Sequence, residues 1–281
     1  ATRVNSQGLI EDMQILSGNL VSNGDFSQEG AEEITNGDFA TDSNWVKGTG
    51  WSISGGKANC DGTQVSNSIF YQNIGNQSNK TVQFSFTISD YVSGVLETAF
   101  FGASGTIAKT ISANGNYTFY VAVQSGHNGN TGFTAKVGFI GSIDNVSVKE
   151  VDPNDNWTLG GSGSNTATIG SNSATITSVD GNSYLQQNSV LTSGKSYKIS
   201  YEILSSSGSS VLKMISSLGL ATVPTTVGTH TVYGTAISTT FYIERVANGI
   251  NATITNISVK EIQVDVPRID FADDTTGHLL L

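Results

Sequence analysis

The sequence predicts an all-β protein with two tandem antiparallel β-sandwich modules inserted between short flanking β-strands. Three observations support this fold class. Segments 81–88 and 196–203 alternate polar and apolar residues with the period of two that is typical of a half-buried strand. Clusters of Gly, Asn and Ser separate such segments at intervals of about ten residues, a spacing typical of sandwiches and barrels. Finally, an internal repeat covers most of the chain.

The repeat predicts the two modules and their boundaries. Matching segments keep their order along the chain at offsets of 115, 111 and 112 positions: Lys80–Ile88 with Lys195–Ile203, Asp144–Val151 with Thr255–Ile262, and Trp45 with Trp157. Small differences in offset are what loop insertions produce. We therefore predict module 1 over 34–151 and module 2 over 152–263, joined at the proline-containing segment 151–154.

The flanks differ from the modules. Segment 1–33 is predicted to be a flanking β segment and linker, with two short strands around the turn at Asn5–Gly8. Segment 264–281 is predicted to be a second flanking β segment that pairs with 1–16 or with another chain. Within 1–33, Asn23–Phe26 recurs thirteen positions later as Asn36–Phe39. The second copy starts module 1, and we interpret the first copy as a remnant or a decoy strand start outside both modules. Module 2 is therefore expected to lack this start.

Composition excludes several functional classes. Only 13% of the residues are charged, about half the usual share, and strong helix formers are scarce. The net charge of −10 repels phosphate backbones and anionic lipid surfaces, so we expect neither nucleic-acid binding nor membrane insertion. Cys60 is the single cysteine, which excludes an internal disulfide and a cysteine-based zinc site. No nucleophile elbow or phosphate loop occurs, and we expect no enzymatic activity.

Four motifs, Asn36–Phe39, Trp45, Gly50–Trp51 and Ile143–Val148, resemble the two ends of jelly-roll, galactose-binding-like carbohydrate-binding modules. This resemblance covers 34–151 well. Separately, the flanks resemble bacteriophage tail-fibre and virion fibre proteins through the following short motifs: 1–5, 8–11, 267–271 and 277–281. Together the two resemblances imply a viral surface protein that lies outside cells and presents its modules to host glycans.

Sugar binding by a β-sandwich needs an aromatic ring for the apolar face of a pyranose, with amides or carboxylates for its hydroxyls. The side chains predicted to do this are Trp51, Tyr71, Gln72, Tyr91 and Tyr117 in module 1 and Gln187 in module 2. Because Tyr71 and Gln72 are neighbours on one strand, one of them faces the core. We expect Gln72 and its equivalent Gln187 to face outward. Trp51 is open to two interpretations, a core residue or a stacking platform, whereas Trp45 and Trp157 are expected in the core.

The family resemblance also implies a structural calcium ion in module 1. Its predicted ligands are Asn36, through its carbonyl, and the carboxylates of Asp38 and Asp144. The alternative is that Asp38 only caps a turn. Module 2 has Thr255 at the position of Asp144, so no equivalent site is expected there.

The resulting hypothesis is a non-enzymatic fibre or adhesin segment of a phage virion that attaches to host cell-surface polysaccharide. Further copies of the chain are expected partners, in a trimer or a filament, because avidity would compensate for weak single sites. Two alternatives stay open. The modules could be purely structural, decorating a filament or capsid without binding sugar, or they could be the binding appendage of a secreted glycoside hydrolase.

Overall fold

A computed structural model describes residues 2–4, 10–12, 14–102, 107–170, 172–245 and 249–263, with backbone alone for 2–4, 10–12, 107 and 108. It confirms the all-β fold class: the described chain consists almost entirely of antiparallel strands. Two compact units form, Ser27–Asn154 and, in two pieces, Ala1–Phe26 with Asp155–Leu281. We keep the names module 1 and module 2 for these two units.

Module 1 is a sandwich of two antiparallel sheets. Its strands are β3 (Glu29–Glu32), β4 (Val46–Lys47), β5 (Trp51–Ser54), β6 (Lys57–Asp61), β7 (Ser68–Asn73), β8 (Thr81–Ser93), β9 (Leu96–Phe100), β10 (Ile107–Ile111), β11 (Gly115–Ala122), β12 (Asn130–Ala135) and β13 (Ile140–Val151). The large sheet has the order β11-β8-β13-β6-β5, with β3 also paired to β13. The small sheet has the order β10-β9-β12-β7-β4.

The core of module 1 lies between these sheets and follows the alternation in the sequence. Along β8, Val82, Phe84 and Phe86 point inward and are almost completely buried, while the polar residues between them face outward. Aromatic rings fill much of the space. The rings of Trp45 and Phe70 stack with centroids 4.7 Å apart. Packing of such large rings is a major source of the stability of a sandwich.

Module 2 repeats this architecture. Its elements after the insertion are β14 (Thr158–Gly161), β15 (Thr166–Gly170), β16 (Ser173–Ser178), β17 (Ser183–Gln187), β18 (Ser196–Gly208), β19 (Leu212–Met214), α1 (Ile215–Leu218), β20 (Leu220–Val223), β21 (Gly228–Thr235), β22 (Phe241–Arg245) and β23 (Ile250–Ile262). The large sheet has the order β15-β16-β23-β18-β21 and the small sheet β14-β17-β22-β19-β20. When each order is read in the opposite direction, it matches that of module 1 strand for strand.

The N-terminal segment 14–26 belongs to module 2, which corrects the predicted boundaries. The Leu16 amide donates to the carbonyl of Glu261 at 2.8 Å, and the Leu20 amide donates to that of Val259 at 2.9 Å. Phe26 is 1% exposed, and its ring centroid lies 5.2 Å from that of Trp157. Asn23–Phe26 is therefore the start of module 2 and not a remnant, and the prediction that module 2 lacks this start was wrong. Module 1 is inserted into module 2 rather than preceding it.

Both copies of the start motif dock in the same way. The Gly24 carbonyl accepts the amide of Ile257, and the Gly37 carbonyl accepts that of Val146, each at 2.9 Å. A Cβ atom on Gly24 would lie 2.1 Å from the Ile257 oxygen, and one on Gly37 would lie 2.0 Å from the Val146 oxygen. Such contacts are far too short for any side chain. Each motif therefore requires glycine at the point where it crosses the last strand of its module.

The first flank forms a two-stranded antiparallel pair, β1 (Thr2–Val4) with β2 (Ile10–Asp12), as its turn signal predicts. The predicted pairing of 264–281 with 1–16 lies outside the described residues. Within the described ranges, no helix combines the length and the apolar character needed to cross a bilayer.

Candidate functional site

Trp51 is a core residue. It is 7% exposed, and its ring stacks on that of Phe70 with centroids 4.8 Å apart. Its position at the start of β5 directs the ring inward because β5 alternates buried and exposed residues. Of the two interpretations that the sequence left open, the structure selects the core and excludes a stacking platform at Trp51.

Gln72 and Gln187 also point inward, contrary to the prediction. Gln72 is 6% exposed; its amide accepts the Thr35 N–H and donates to the Thr35 carbonyl, both at 2.8 Å. Gln187 is 5% exposed and makes the same pair of bonds with Ser22, at 3.1 and 2.6 Å. These amides satisfy otherwise unpaired main-chain groups of the segment that begins each module. Each amide therefore stabilises its own module from the inside and is not exposed to a ligand.

Tyr91 and Tyr117 lie on the large sheet of module 1 and pack against the edge of its core. The Tyr91 hydroxyl donates to the Gly94 carbonyl at 3.0 Å, and the Tyr117 hydroxyl donates to that of Ala113 at 2.9 Å. The Tyr117 ring also stacks with Phe86, centroids 5.4 Å apart. Both rings are half-buried, and the structure does not bring them together with Tyr71.

Tyr71 is the predicted sugar-binding residue that does face outward. It lies on the outer face of the small sheet of module 1, since its neighbours Phe70 and Gln72 point into the core. Directly opposite Tyr71 are Gly132 on one side and Val46 on the other. Gly132 is buried, and a Cβ atom there would lie 2.2 Å from the Phe70 carbonyl oxygen and 3.0 Å from the Tyr71 Cβ, so the two strands approach closely at this pair.

A second ring and several amide groups surround Tyr71. Phe101 meets it edge-to-face with centroids 5.8 Å apart. The Asn73 amide donates to the side-chain oxygen of Asn130 at 2.9 Å, beside the rings and exposed on the same face. We call this surface platform 1, and it consists of Tyr71, Phe101, Val46, Ile69, Asn73 and Asn130. Val46 and Ile69 are 51% and 41% exposed, so platform 1 presents apolar and amide groups to solvent.

Module 2 carries a corresponding surface on its own small sheet. The Tyr184 and Tyr242 rings meet edge-to-face with centroids 5.9 Å apart, on the face directed away from the core. Tyr184 lies across Gly160, where a Cβ atom would come within 2.0 Å of the tyrosine ring. The ring therefore lies flat against the sheet. With Gln186 and Lys213 these tyrosines form what we call platform 2.

The two platforms differ in detail. Gln186 in module 2 stands at the position of Tyr71 in module 1, and its cross-strand partner is Tyr242, whereas the partner of Tyr71 is Gly132. At this pair, module 1 has its aromatic ring on β7, whereas module 2 has its ring on β22, the strand next to the equivalent of β7. Next to platform 2, Glu244 is buried at 8% exposure, and its carboxylate accepts the Ser216 amide at 2.7 Å. Sequence reasoning missed platform 2, although the alternation in β17 and β22 places both tyrosines at outward positions.

The predicted calcium ligands each have protein partners of their own. The Asn36 amide donates to the carbonyls of Thr41 and Ser43 at 2.7 and 3.0 Å, and its oxygen accepts the Thr41 N–H at 3.2 Å. Asp38 accepts the Ala40 amide at 3.3 Å, the turn-capping alternative. Asp144 accepts the amide of the following residue at 2.7 Å.

The main-chain carbonyl of Asn36, which is the predicted ligand, accepts the indole N–H of Trp45 at 3.1 Å. Calcium at these three residues stays a prediction. In the part of the chain that the structure describes, no three His, Cys, Asp or Glu side chains are grouped to hold a metal ion. No step of the function proposed below uses calcium.

No protein-family description and no curated protein matches the sequence. Among solved structures, the chain is similar to the N-terminal CBM22-1-CBM22-2 tandem domain of Xyn10C from Paenibacillus barcinonensis. The TM-score is 0.28 and the sequence identity 11%, and the match covers 85% of this chain and 99% of that chain.

Proposed function

We propose that the chain is a non-enzymatic, glycan-binding segment of a virion surface fibre, with platforms 1 and 2 as its saccharide sites. The observation that carries this proposal is the pair of aromatic rings on the outer face of each small sheet: Tyr71 with Phe101, and Tyr184 with Tyr242. Each pair lies beside a glycine, Gly132 or Gly160, and at Gly160 the Tyr184 ring itself covers the position that a side chain would fill.

The chemistry of the platforms suits a saccharide. The C–H groups of a pyranose form an apolar face that packs on an aromatic ring, while its hydroxyls need hydrogen-bond donors and acceptors at the rim. Asn73 and Asn130 supply both at platform 1, and the Gln186 amide supplies both at platform 2. Because each surface is shallow, each site is expected to bind weakly. Several sites on one fibre would then supply avidity.

The fibre context, the extracellular location and further copies of the chain as partners rest on the resemblance of the flanks to phage fibre proteins. The surface composition is compatible with this location, since Ser, Thr and Asn replace charged residues on much of the outside. The absence of enzymatic activity is also part of the proposal. A glycosidase needs two carboxylates across one cleft, and neither platform as defined contains such a pair.

A glycan array with the full chain, followed by calorimetric titration of the glycans that bind, tests the proposal. We expect Tyr71→Ala and Tyr184→Ala each to weaken binding at their own platform about tenfold, or about 1.4 kcal/mol. Tyr233→Ala is the matched control, because Tyr233 is 40% exposed on the large sheet of module 2, whereas platform 2 lies on the small sheet. It should leave binding unchanged.

Two results would favour the alternatives. No binding to any host polysaccharide, with both modules folded, would support a purely structural filament or capsid-decoration protein. A catalytic domain elsewhere in the same gene would support a binding appendage of a secreted glycoside hydrolase. Equal losses from Tyr233→Ala and Tyr71→Ala would show that binding, if present, does not use the platforms.

A further inference from the structure

Module 2 is built from two pieces of chain that are separated by all of module 1. The first piece includes residues 14–26, which we call the clasp, and the second begins at Asp155. Tension applied between Gln14 and Gln263 therefore has two routes. It can pass from the clasp into the rest of module 2 through noncovalent contacts, or it can follow the covalent chain through Ser27–Asn154.

The clasp is held by contacts along one edge of β23 and by a few side chains. Its main-chain bonds to Ile257, Val259 and Glu261 are about as short as those of a regular ladder, 2.8–2.9 Å. Further anchors include the Gln187 amide on Ser22 and the burial of Phe26 against the Trp157 ring. The Val259 and Glu261 amides also donate to the side chains of Asn19 and Ser17, at 2.9 and 2.8 Å, and the Trp157 indole N–H donates to the Asn23 carbonyl at 2.9 Å. Strand β23 itself is more firmly held, because β18 pairs with it from Ser196 to Gly208.

The direction of the clasp determines how tension acts on it. Gln263 donates its amide to the Gln14 carbonyl at 3.0 Å, and Ile257 donates to Gly24 at 2.9 Å, so the clasp runs antiparallel to β23. The chain thus enters the clasp at the same end of the sheet at which it leaves β23. Pulling these two ends apart loads the hydrogen bonds one after another, as in a zipper, and not all together.

We propose that the clasp is a force-released strap. While it is docked, tension between the two ends bypasses module 1, and platform 1 stays on an unloaded domain. The clasp detaches before either sandwich unfolds, because it is an edge segment loaded bond by bond. Only after its release does Ser27–Asn154 come into the path of the force.

Optical-tweezers unfolding of the full chain tests this proposal, with handles at Gln14→Cys and Gln263→Cys. Cys60 does not compete for the handles because it is 3% exposed and burial raises its pKa. We expect a first low-force step of about 45 Å, the contour of the 13 residues Gln14–Phe26 at about 3.5 Å per residue. Larger steps from the two sandwiches should follow.

Two glycine variants form a matched pair of controls. Gly24→Ala should abolish the separate first step or move it to lower force, because the added Cβ would collide with the Ile257 carbonyl. Gly37→Ala makes the same collision within module 1 and should leave the first step unchanged. If Gly24→Ala prevents folding, Gln187→Ala weakens the clasp through its bonds to Ser22 alone.

Three results would overturn the proposal: a first step with the contour of a whole module, simultaneous loss of the clasp and module 2, or a first step that Gly24→Ala and Gln187→Ala both leave unchanged. None of these measurements involves a glycan, so the outcome is independent of the proposed function.

Discussion

Replacing Phe26 by alanine distinguishes the nested arrangement from a simple tandem. Phe26 is 1% exposed and lies 5.2 Å from Trp157, although 130 residues of sequence separate the two. Loss of a fully buried phenylalanine removes its packing and leaves a cavity, which costs about 3–5 kcal/mol. In a linker outside both modules, the same change would cost no more than about 0.5 kcal/mol.

Differential scanning calorimetry of the full chain is the assay. For a module of this size, a loss of about 3–5 kcal/mol lowers the melting temperature by about 10–25 °C. We expect Phe26→Ala to lower the transition of module 2 and to leave that of module 1 in place. Phe39→Ala is the matched control, because Phe39 is also 1% exposed and lies 5.4 Å from Trp45 in module 1. It should lower the other transition by a similar amount.

The nested arrangement is refuted if Phe26→Ala and Phe39→Ala lower the same transition. It is also refuted if Phe26→Ala leaves both transitions within the error of the wild-type values, since the segment would then contribute no packing to module 2.

Three further predictions concern buried groups. Gln72→Ala and Gln187→Ala should each destabilise their own module by about 2 kcal/mol in urea unfolding, because each leaves a main-chain N–H and a carbonyl without their hydrogen-bond partner. An effect on the other module would contradict this. Burial raises the pKa of Tyr201 above its ordinary value of 10.0, so module 2 should lose stability as the pH rises past 10, where only the unfolded state ionises. Tyr201→Phe should flatten that alkaline loss, at the expense of the bond to the Pro224 carbonyl; an unchanged slope would show that another group titrates. Burial likewise raises the pKa of Cys60, which should react with a thiol reagent only on unfolding; rapid reaction in the native protein would argue against its placement in the core.

The sheets could be predicted because alternation along a strand encodes burial directly. In segment 81–88 every second residue is apolar, and these residues are the ones that β8 buries. The repeat then assigned the same architecture to both modules. Neither inference needs knowledge of which strands pair, and this is why the fold class could be predicted without a structure.

The site was harder to predict from the sequence, because the direction in which a polar side chain points depends on partners that are distant in the sequence. On β7, an inward glutamine and an outward tyrosine reverse the usual preference of these residue types. Gln72 is buried because it binds the main chain at Thr35, which lies 37 positions earlier in the sequence. No local pattern reveals that contact. The same reasoning applies to Gln187 and Ser22, 165 positions apart.

The spacing of the two start motifs follows from the nesting. A tandem array would place each start immediately before its own module, whereas an insertion places the host's start before that of the guest. The order along the chain is therefore the start of module 2, the start of module 1, the body of module 1 and the body of module 2. Asn23–Phe26 and Asn36–Phe39 fall thirteen positions apart because only a short connection separates the two starts. Since both dock through the same glycine-to-carbonyl contact, what assigns each start to its module is the chain connection and not a difference in the motif.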